Sequence, residues 1–333
     1  MIDDASAATE SWFRDYFSPT EQGVLSFTTR TSNEIAQQGV DLTVPLRIAP
    51  DRSRALLSTL AFDHRDNGSN HFSMGLGYGF LIPDADIALR TRFHFDVGDT
   101  AFDNQVNRIA GGFDLFSGSG LDLIGNWYLP VSGVDPMRYY AKPFAQAHSI
   151  LQNFVGVDER GMRGGDLKIE FDVPGLDSFL PTRAFFGGYH YDGKFAGDVE
   201  GFHGGITVHP SDSFFVGTEY YGDDEFFGDH WVFTAGMSMP LEGLFRADSW
   251  REQFRAVFSG GSDRARLTGS ERLRSKMLGR VDRRNWVMTE LSDPFTFWTD
   301  TLRDDVIFVN NGSAAGNGIA AGSGAAGAGT AED

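Results

Sequence analysis

The sequence predicts an all-β protein: a twelve-stranded antiparallel transmembrane β-barrel, then a C-terminal helical or irregular basic segment and a disordered Gly/Ala tail. Three observations predict it. Apolar and polar residues alternate over long segments, these segments number twelve, and the connections between them alternate between short and long. An even strand count with short turns on one rim and long loops on the other is the plan of an outer-membrane barrel.

The alternation is clearest where Phe72, Met74, Leu76, Tyr78 and Phe80 share one parity and Ser73, Gly75, Gly77 and Gly79 the other. That is the strand period of two, not the helical 3.6. Beyond Pro83-Asp84, Ile87, Leu89, Phe93, Phe95 and Val97 face one way and Asp86, Arg90, Arg92, His94 and Asp96 the other. Between 166 and 173, Asp166, Lys168, Glu170 and Asp172 interleave with Leu167, Ile169, Phe171 and Val173. The same test places strands at 23–30, 40–48, 55–63, 71–81, 85–97, 106–116, 120–130, 165–173, 183–191, 201–208, 213–221 and 230–239. Most approach the ~9–11 residues that a tilted strand needs to cross a bilayer. Connections after even-numbered strands are tight, as at Pro50-Asp51, Pro83-Asp84, Gly118-Ser119-Gly120 and Pro210-Ser211-Asp212. Those after odd-numbered strands are longer, at 65–69, 98–105, 192–200 and above all 132–163, so both ends of the barrel belong to the short-turn side.

A soluble β-sandwich also alternates, because one face of each strand packs inward. Two features favour the membrane. A twelve-stranded barrel is too wide for side chains to fill, so a wet, charged interior is expected. Aromatics also gather near strand ends (Phe80, Phe93, Phe95, Trp127, Tyr128, Tyr189, Tyr191, Tyr220, Tyr221 and Trp231), where interfacial girdles sit. Composition narrows the function. A net charge of −18 argues against a nucleic-acid partner, and the absence of cysteine excludes a disulfide framework, a Cys-ligated metal and a thiol nucleophile. No apolar run is long enough for a helical span, and no export signal is expected in the residues after Met1, which lead directly into Asp3 and Asp4.

The run from Asn70 to Pro130 resembles the β-domain of inverse autotransporters, the intimin and invasin family, in the order of its elements. A Gly-rich strand is followed by a charged strand and then by one ending Tyr128-Leu129-Pro130. The blocks 164–195 and 201–241 continue the resemblance through Gly-Tyr and Asp-Asp loop signals to a Pro-terminated last strand. The family implies a twelve-stranded outer-membrane barrel, a linker that threads the pore and a passenger at the cell surface. It also implies contact with outer-membrane lipid and with the outer-membrane assembly machinery. Two departures from that plan are expected: no signal peptide is read in the residues after Met1, and the Gly/Ala/Ser stretch beyond 310 is not expected to build a packed adhesive domain. The expected organisation is a periplasmic lead-in at 1–22, the barrel at 23–241, a basic helical or linker segment and candidate pore plug at 242–309, and a low-complexity tail at 310–333. A monomer is expected, with no cofactor, and any host or surface ligand stays open.

Residues 246–284 carry eleven basic side chains against five acids in an otherwise acidic protein. Trp250, Phe254, Val257 and Phe258 recur at helical spacing, and Leu267 to Met277 offers a second helix. Such a charge run is ordinarily a solvated face. The sharper reading is a plug in which Arg251, Arg255, Arg272 and Arg274 meet lumen-facing charges. The candidates for that wall are Asp86, Arg90, Arg92, Asp96, Asp166, Lys168, Glu170 and Asp172. Further on, Val306 to Val309 could form a short strand.

Signals for catalysis are weak, and no catalytic, cofactor or metal residue is assigned. The loop His64-Arg65-Asp66-Asn67-Gly68 is similar to the His-x-Ser-Asn-Gly signature of the twelve-stranded outer-membrane phospholipase, but Asp66 stands where the nucleophilic serine belongs. His94, His190 and His203 share the inward parity without metal-ligand spacing. Asp223-Asp224 reads as a solvating loop pair or a loose Ca²⁺ site. The expectation is therefore a non-enzymatic membrane anchor and conduit. A barrel lipase and a soluble secreted β-module are the alternatives.

Overall fold

The computed structural model of the protein describes residues 23–303 except 33–35, 101, 103, 134, 141, 147–148, 177–179, 196, 212, 224–228, 242–268, 284–286 and 294. Its strands are β1 (Val24–Thr31), β2 (Ala36–Ile48), β3 (Arg54–Arg65), β4 (Asn70–Ile82), β5 (Ile87–Asp99), β6 (Gln105–Ser117), β7 (Leu121–Pro130), β8 (Asp135–Tyr140), β9 (Phe144–Gln146), β10 (Ser149–Gly161), β11 (Arg163–Asp172), β12 (Thr182–Asp192), β13 (Val199–Val208), β14 (Phe214–Gly222), β15 (His230–Pro240), β16 (Thr289–Leu291) and β17 (Phe295–Arg303). Among the described residues, one α-helix, α1 (Gly269–Leu278), lies between β15 and β16. Strands β1–β7 and β11–β15 close a twelve-stranded antiparallel barrel in chain order, β7 pairing directly with β11 and β1 with β15. Closure sets Val24 opposite Pro240 and Thr31 opposite Phe233.

By contacts the chain divides into two units, residues 1–133 with 161–289, which hold the barrel and α1, and residues 134–160 with 290–333. The second unit is a small sheet in which β10 is central: β8 and β9 pair with it, as do β16 and β17.

The side-chain rows settle which face of the barrel meets what. Phe72, Met74, Leu76 and Tyr78 are 41–53% exposed, whereas Arg90, Arg92, His94 and Asp96 are at most 5% exposed. Water-exposed phenylalanines ringing a core of buried arginines would be a fold turned inside out. A hydrocarbon solvent outside makes it stable, because the strand ladder closes on itself and leaves no open sheet edge toward lipid. The chain is therefore a transmembrane β-barrel. Each strand expected from the sequence is present, within a few residues at its ends.

Several expectations are corrected. Of the aromatics assigned to girdles, Phe93, Phe95, Trp127 and Trp231 are exposed, but Tyr128, Tyr189, Tyr191 and Tyr221 are buried at 0–5% exposure. Trp127-Tyr128 and Tyr220-Tyr221 are adjacent, and neighbours on a strand point to opposite faces. The four tyrosines cluster inside with Met162, Val199 and Met288. Asp86 is not on a lumen-facing strand position. It is an exposed turn residue at φ 50, in the left-handed region, closing the 3₁₀ turn Pro83–Ala85 with its N–H on the Pro83 carbonyl. His190 faces outward between the inward Tyr189 and Tyr191. The stretch 132–163 is not merely a loop, since it carries β8, β9 and β10. The helix expected around Trp250–Phe258, Arg251 and Arg255, the lead-in, the strand at 306–309 and the tail all lie outside the described residues.

Candidate functional site

The site is the lumen, and the feature that organises it is the segment 269–289. Helix α1 forms here because Glu271 sits in its first turn and Lys276 in its last, complementing the helix dipole. Its apolar pair Leu273 and Met277, four residues apart, points to one side. Both are buried against Leu57, Leu81, Ala88 and Phe116, with Ile48 at the margin, which are inward residues close to the short turns. Gly79 on β4 makes room for it, since a Cβ there would collide with the Met277 side chain.

The wall then supplies charges in matched positions. Arg90 on β5 donates from Nε to Asp114 at 2.6 Å, and its Nη atoms donate to the carbonyls of Met277, Gly279 and Arg280 at 3.2, 2.7 and 3.2 Å. These are the orphan carbonyls at and beyond the helix end, so Arg90 caps α1 from the barrel wall. Asp122 on β7 accepts both contacts of Lys276 Nζ, at 2.9 and 2.8 Å, and also pairs with Arg183. Arg272 pairs with Asp172. Beyond the helix, Arg280 lies 3.3 Å from Asp41, and Asp282 pairs with Lys168, which also holds Glu170 at 2.6 Å. Arg283 reaches Asp96 and donates to Ser73 Oγ at 2.6 Å. Arg108 holds the same Asp96 at 2.7 Å and lies over the Tyr128 ring.

Read in order, these contacts trace a path. Helix α1 sits at the short-turn rim, residues 280–283 climb the wall, and Arg283 lies at a level of β4 and β5 close to their long-loop ends. Met288 then enters the tyrosine cluster, where its carbonyl accepts from Met162 N at 2.8 Å. The described contacts of the segment thus begin beside the short turns and end beside the long loops. It leans on β4, β5 and β6, and a cavity of about 380 Å³ remains on its far side, lined by Lys168, Glu170, Arg183, His203 and Glu219 among others.

Lys276 pays electrostatically for its place. Burial lowers its pKa first, and the Arg183 guanidinium lowers it further. Asp122 pulls the other way, and the outcome is about 8, against an ordinary 10.5.

Seven of the eight lumen-facing candidates (Arg90, Arg92, Asp96, Asp166, Lys168, Glu170 and Asp172) point inward, and Asp86 does not. Asp166 accepts from Asn126 at 2.8 Å and from the Tyr128 hydroxyl at 3.0 Å. Of the plug candidates, Arg272 engages the wall, while Arg274 leaves its Nε without a hydrogen-bond partner. Sequence reasoning missed the two aspartates that matter most, Asp114 and Asp122. The available signal was their inward parity, since Asp114 lies directly opposite Arg90 on the neighbouring strand.

The other motifs resolve into ordinary structure. His64 hydrogen-bonds Asn70 at 2.9 Å, and Ser69 donates to Asn67 at 2.7 Å, forming a turn between β3 and β4. His94 lies 3.4 Å from Thr59 and His203 2.6 Å from Glu219, on different strands. Asp223 is not a solvating loop residue: it is buried and accepts from the Tyr189 hydroxyl. His190, Asp192 and Asp198 bring ligand atoms within 4.8 Å of one another, but both nitrogens of His190 are engaged by Asp192 and Glu200, and Arg163 holds Asp192. That cluster reads as an exposed ion-pair network.

No protein-family model and no curated protein matches the sequence. Among solved structures, a chain from work on the in-meso crystallization of membrane proteins aligns with 82% of this chain and 100% of its own at 15% identity, with a TM-score of 0.57. The KdgM porin aligns with 65% of this chain and 97% of its own at 10% identity and TM-score 0.38. The β-domain of the Bordetella autotransporter BrkA aligns with 66% and 99% at 12% identity and TM-score 0.36. The first likeness bears on the fold alone, and the other two are too low to carry an argument.

Proposed function

We propose that the protein is an outer-membrane barrel of inverse-autotransporter type that anchors its own C-terminal segment and conducts it through the lumen to the long-loop side, with no chemical step. The observation that carries this is the set of wall contacts made by the described residues of the segment, from Leu273 near the short turns, through Arg280 and Arg283, to Met288 in the tyrosine cluster. A chain that enters the lumen below and emerges above is a conduit holding its cargo. In this reading short turns face the periplasm, lipid contacts the exposed apolar rows, and the barrel is inserted as a monomer by the outer-membrane assembly machinery. The plug is electrostatically latched, since most of its basic side chains sit on wall carboxylates in a medium less polar than water.

The test is conductance in planar bilayers. A chain ending at Pro240 should form open pores, while the full chain should conduct little. Equal conductance would sink the proposal. In cells, a C-terminal epitope tag should be reachable by external protease. The lipase alternative would be favoured by lipid hydrolysis that is lost on His64→Ala.

A further inference from the structure

We infer that the excursion between β7 and β11 is a landing platform: β10 is a receptor strand that captures the C-terminal segment by strand addition once it has emerged. This rests on the proposal that the segment crosses the lumen.

The argument starts from what can fold locally. β9 pairs with β10 across a few residues, Gln146 opposite Ser149 and Phe144 opposite Leu151. β8 pairs with it from Tyr140–Phe154 to Asp135–Glu159, still within one short stretch of chain. These contacts close small loops and need nothing from the C-terminus. β17 is different. It pairs with β10 from Ile150–Arg303 to Gly156–Phe295, partners about 140 to 150 residues apart in sequence. Ser292 adds a reciprocal contact to β10: its N–H donates to the Asp158 carbonyl at 2.9 Å, and the Asp158 N–H donates to its Oγ at 2.9 Å. The platform is therefore assembled first, with one edge of β10 open.

An open edge presents a row of unpaired amides and carbonyls, which is the recognition surface used in strand addition. Its occupant is identified by the register: the segment Thr289–Arg303 of the same chain. Only five residues, 284–288, separate Arg283 in the lumen from β16. A segment paired along β10 cannot slip back without breaking that ladder. The pairing is available only after crossing, so it biases movement outward and holds the product there, whereas the lumen contacts are passed through on the way.

The experiment uses the full chain in intact cells with a C-terminal tag. Because the protein has no cysteine, Asn153→Cys with Thr299→Cys, opposite one another in the register, introduces a single thiol pair. Phe297→Pro with Trp298→Pro breaks the ladder from β17 without altering the platform, since adjacent amides on a strand point to opposite edges and one of the two must face β10. A second variant lacks 295–303. Heat-modifiable gel mobility reports barrel folding in every case, and surface signal is normalised to it.

The expected result is efficient disulfide formation in the cysteine pair with an added impermeant oxidant, and its loss when the prolines are added. The proline and deletion variants should also show at least a fivefold fall in protease-accessible tag per folded barrel and higher channel conductance. Unchanged tag exposure and conductance in both variants, with the wild-type tag exposed, would overturn the landing role while leaving the conduit intact. A wild-type tag never reachable from outside would instead overturn the conduit reading beneath it.

Discussion

Replacing Asp122 by asparagine tests the latch at its most loaded point. The carboxylate is 1% exposed and serves Lys276 with both oxygens, Arg183, and the Ser117 N–H at 3.2 Å. Asparagine keeps the shape and removes the charge. Removing one partner of a buried pair ordinarily costs about 3–5 kcal/mol, but two features of the site reduce that figure. Arg183 keeps Glu170 at 2.6 Å and Asp172 at 3.3 Å. Lys276, with its pKa near 8, sheds its proton at pH 7 for only about 1.4 kcal/mol, one pKa unit. A net loss of about 1.5–3 kcal/mol follows, equivalent to a rise of roughly ten- to a hundredfold in the ratio of unplugged to plugged barrel. Single-channel recording of the full chain reads that ratio as open probability. The pH dependence provides a second check. Because the folded pKa of Lys276 lies below its unfolded value, the plugged state binds fewer protons between about pH 8 and 10.5, and its stability rises with pH across that window. At pH 9.5 the wild-type lysine is already largely neutral, so Asp122→Asn should matter less there than at pH 7. No increase in opening at pH 7, or the same increase at both pH values, would refute the reasoning.

The other predictions follow from the same geometry. Gly79→Ile drives a branched side chain into Met277 and should cost about 1–3 kcal/mol of plug stability by overpacking, visible as raised conductance with unchanged barrel mobility on unheated gels. Arg90→Met removes the cap on three carbonyls at the end of α1 and one of the two arginines on Asp114. It should open the channel at least as much as Asp122→Asn, measured in the same recordings. Leu76→Arg places a charge near the middle of β4 on the lipid face, where Leu76 is 53% exposed. It should cost about 2–4 kcal/mol in a reversible unfolding titration in lipid, whereas the same change on a residue of a soluble surface would cost almost nothing.

Legibility divided along a physical line. Strand positions could be read because the period of two is a property of the backbone, and a barrel with lipid outside and water inside imposes that period on every spanning strand. The same local rule, applied to Trp127-Tyr128 and Tyr220-Tyr221, would have turned the tyrosines inward. Residue type alone points the other way, because the amphipathic ring of tyrosine suits a membrane interface as well as a polar lumen. The plug was partly legible as excess positive charge and an apolar pair in 267–277. Its sockets were not, because inward parity marks Asp114 and Asp122 as wall residues without saying that Arg90 and Lys276 are what they hold.

What the chain determined by itself is therefore the wall: which residues line it, which face lipid, and how many strands close it, all consequences of side chains alternating about a covalently uniform backbone. What only the tertiary structure decided is the contents. That Met277 rests against Gly79, that Arg90 caps a helix almost two hundred residues later, and that β17 pairs with β10 all depend on pairings between distant segments. Such pairings are selected by fit and by charge neutralisation in a confined space, and neither leaves a periodic trace in the sequence.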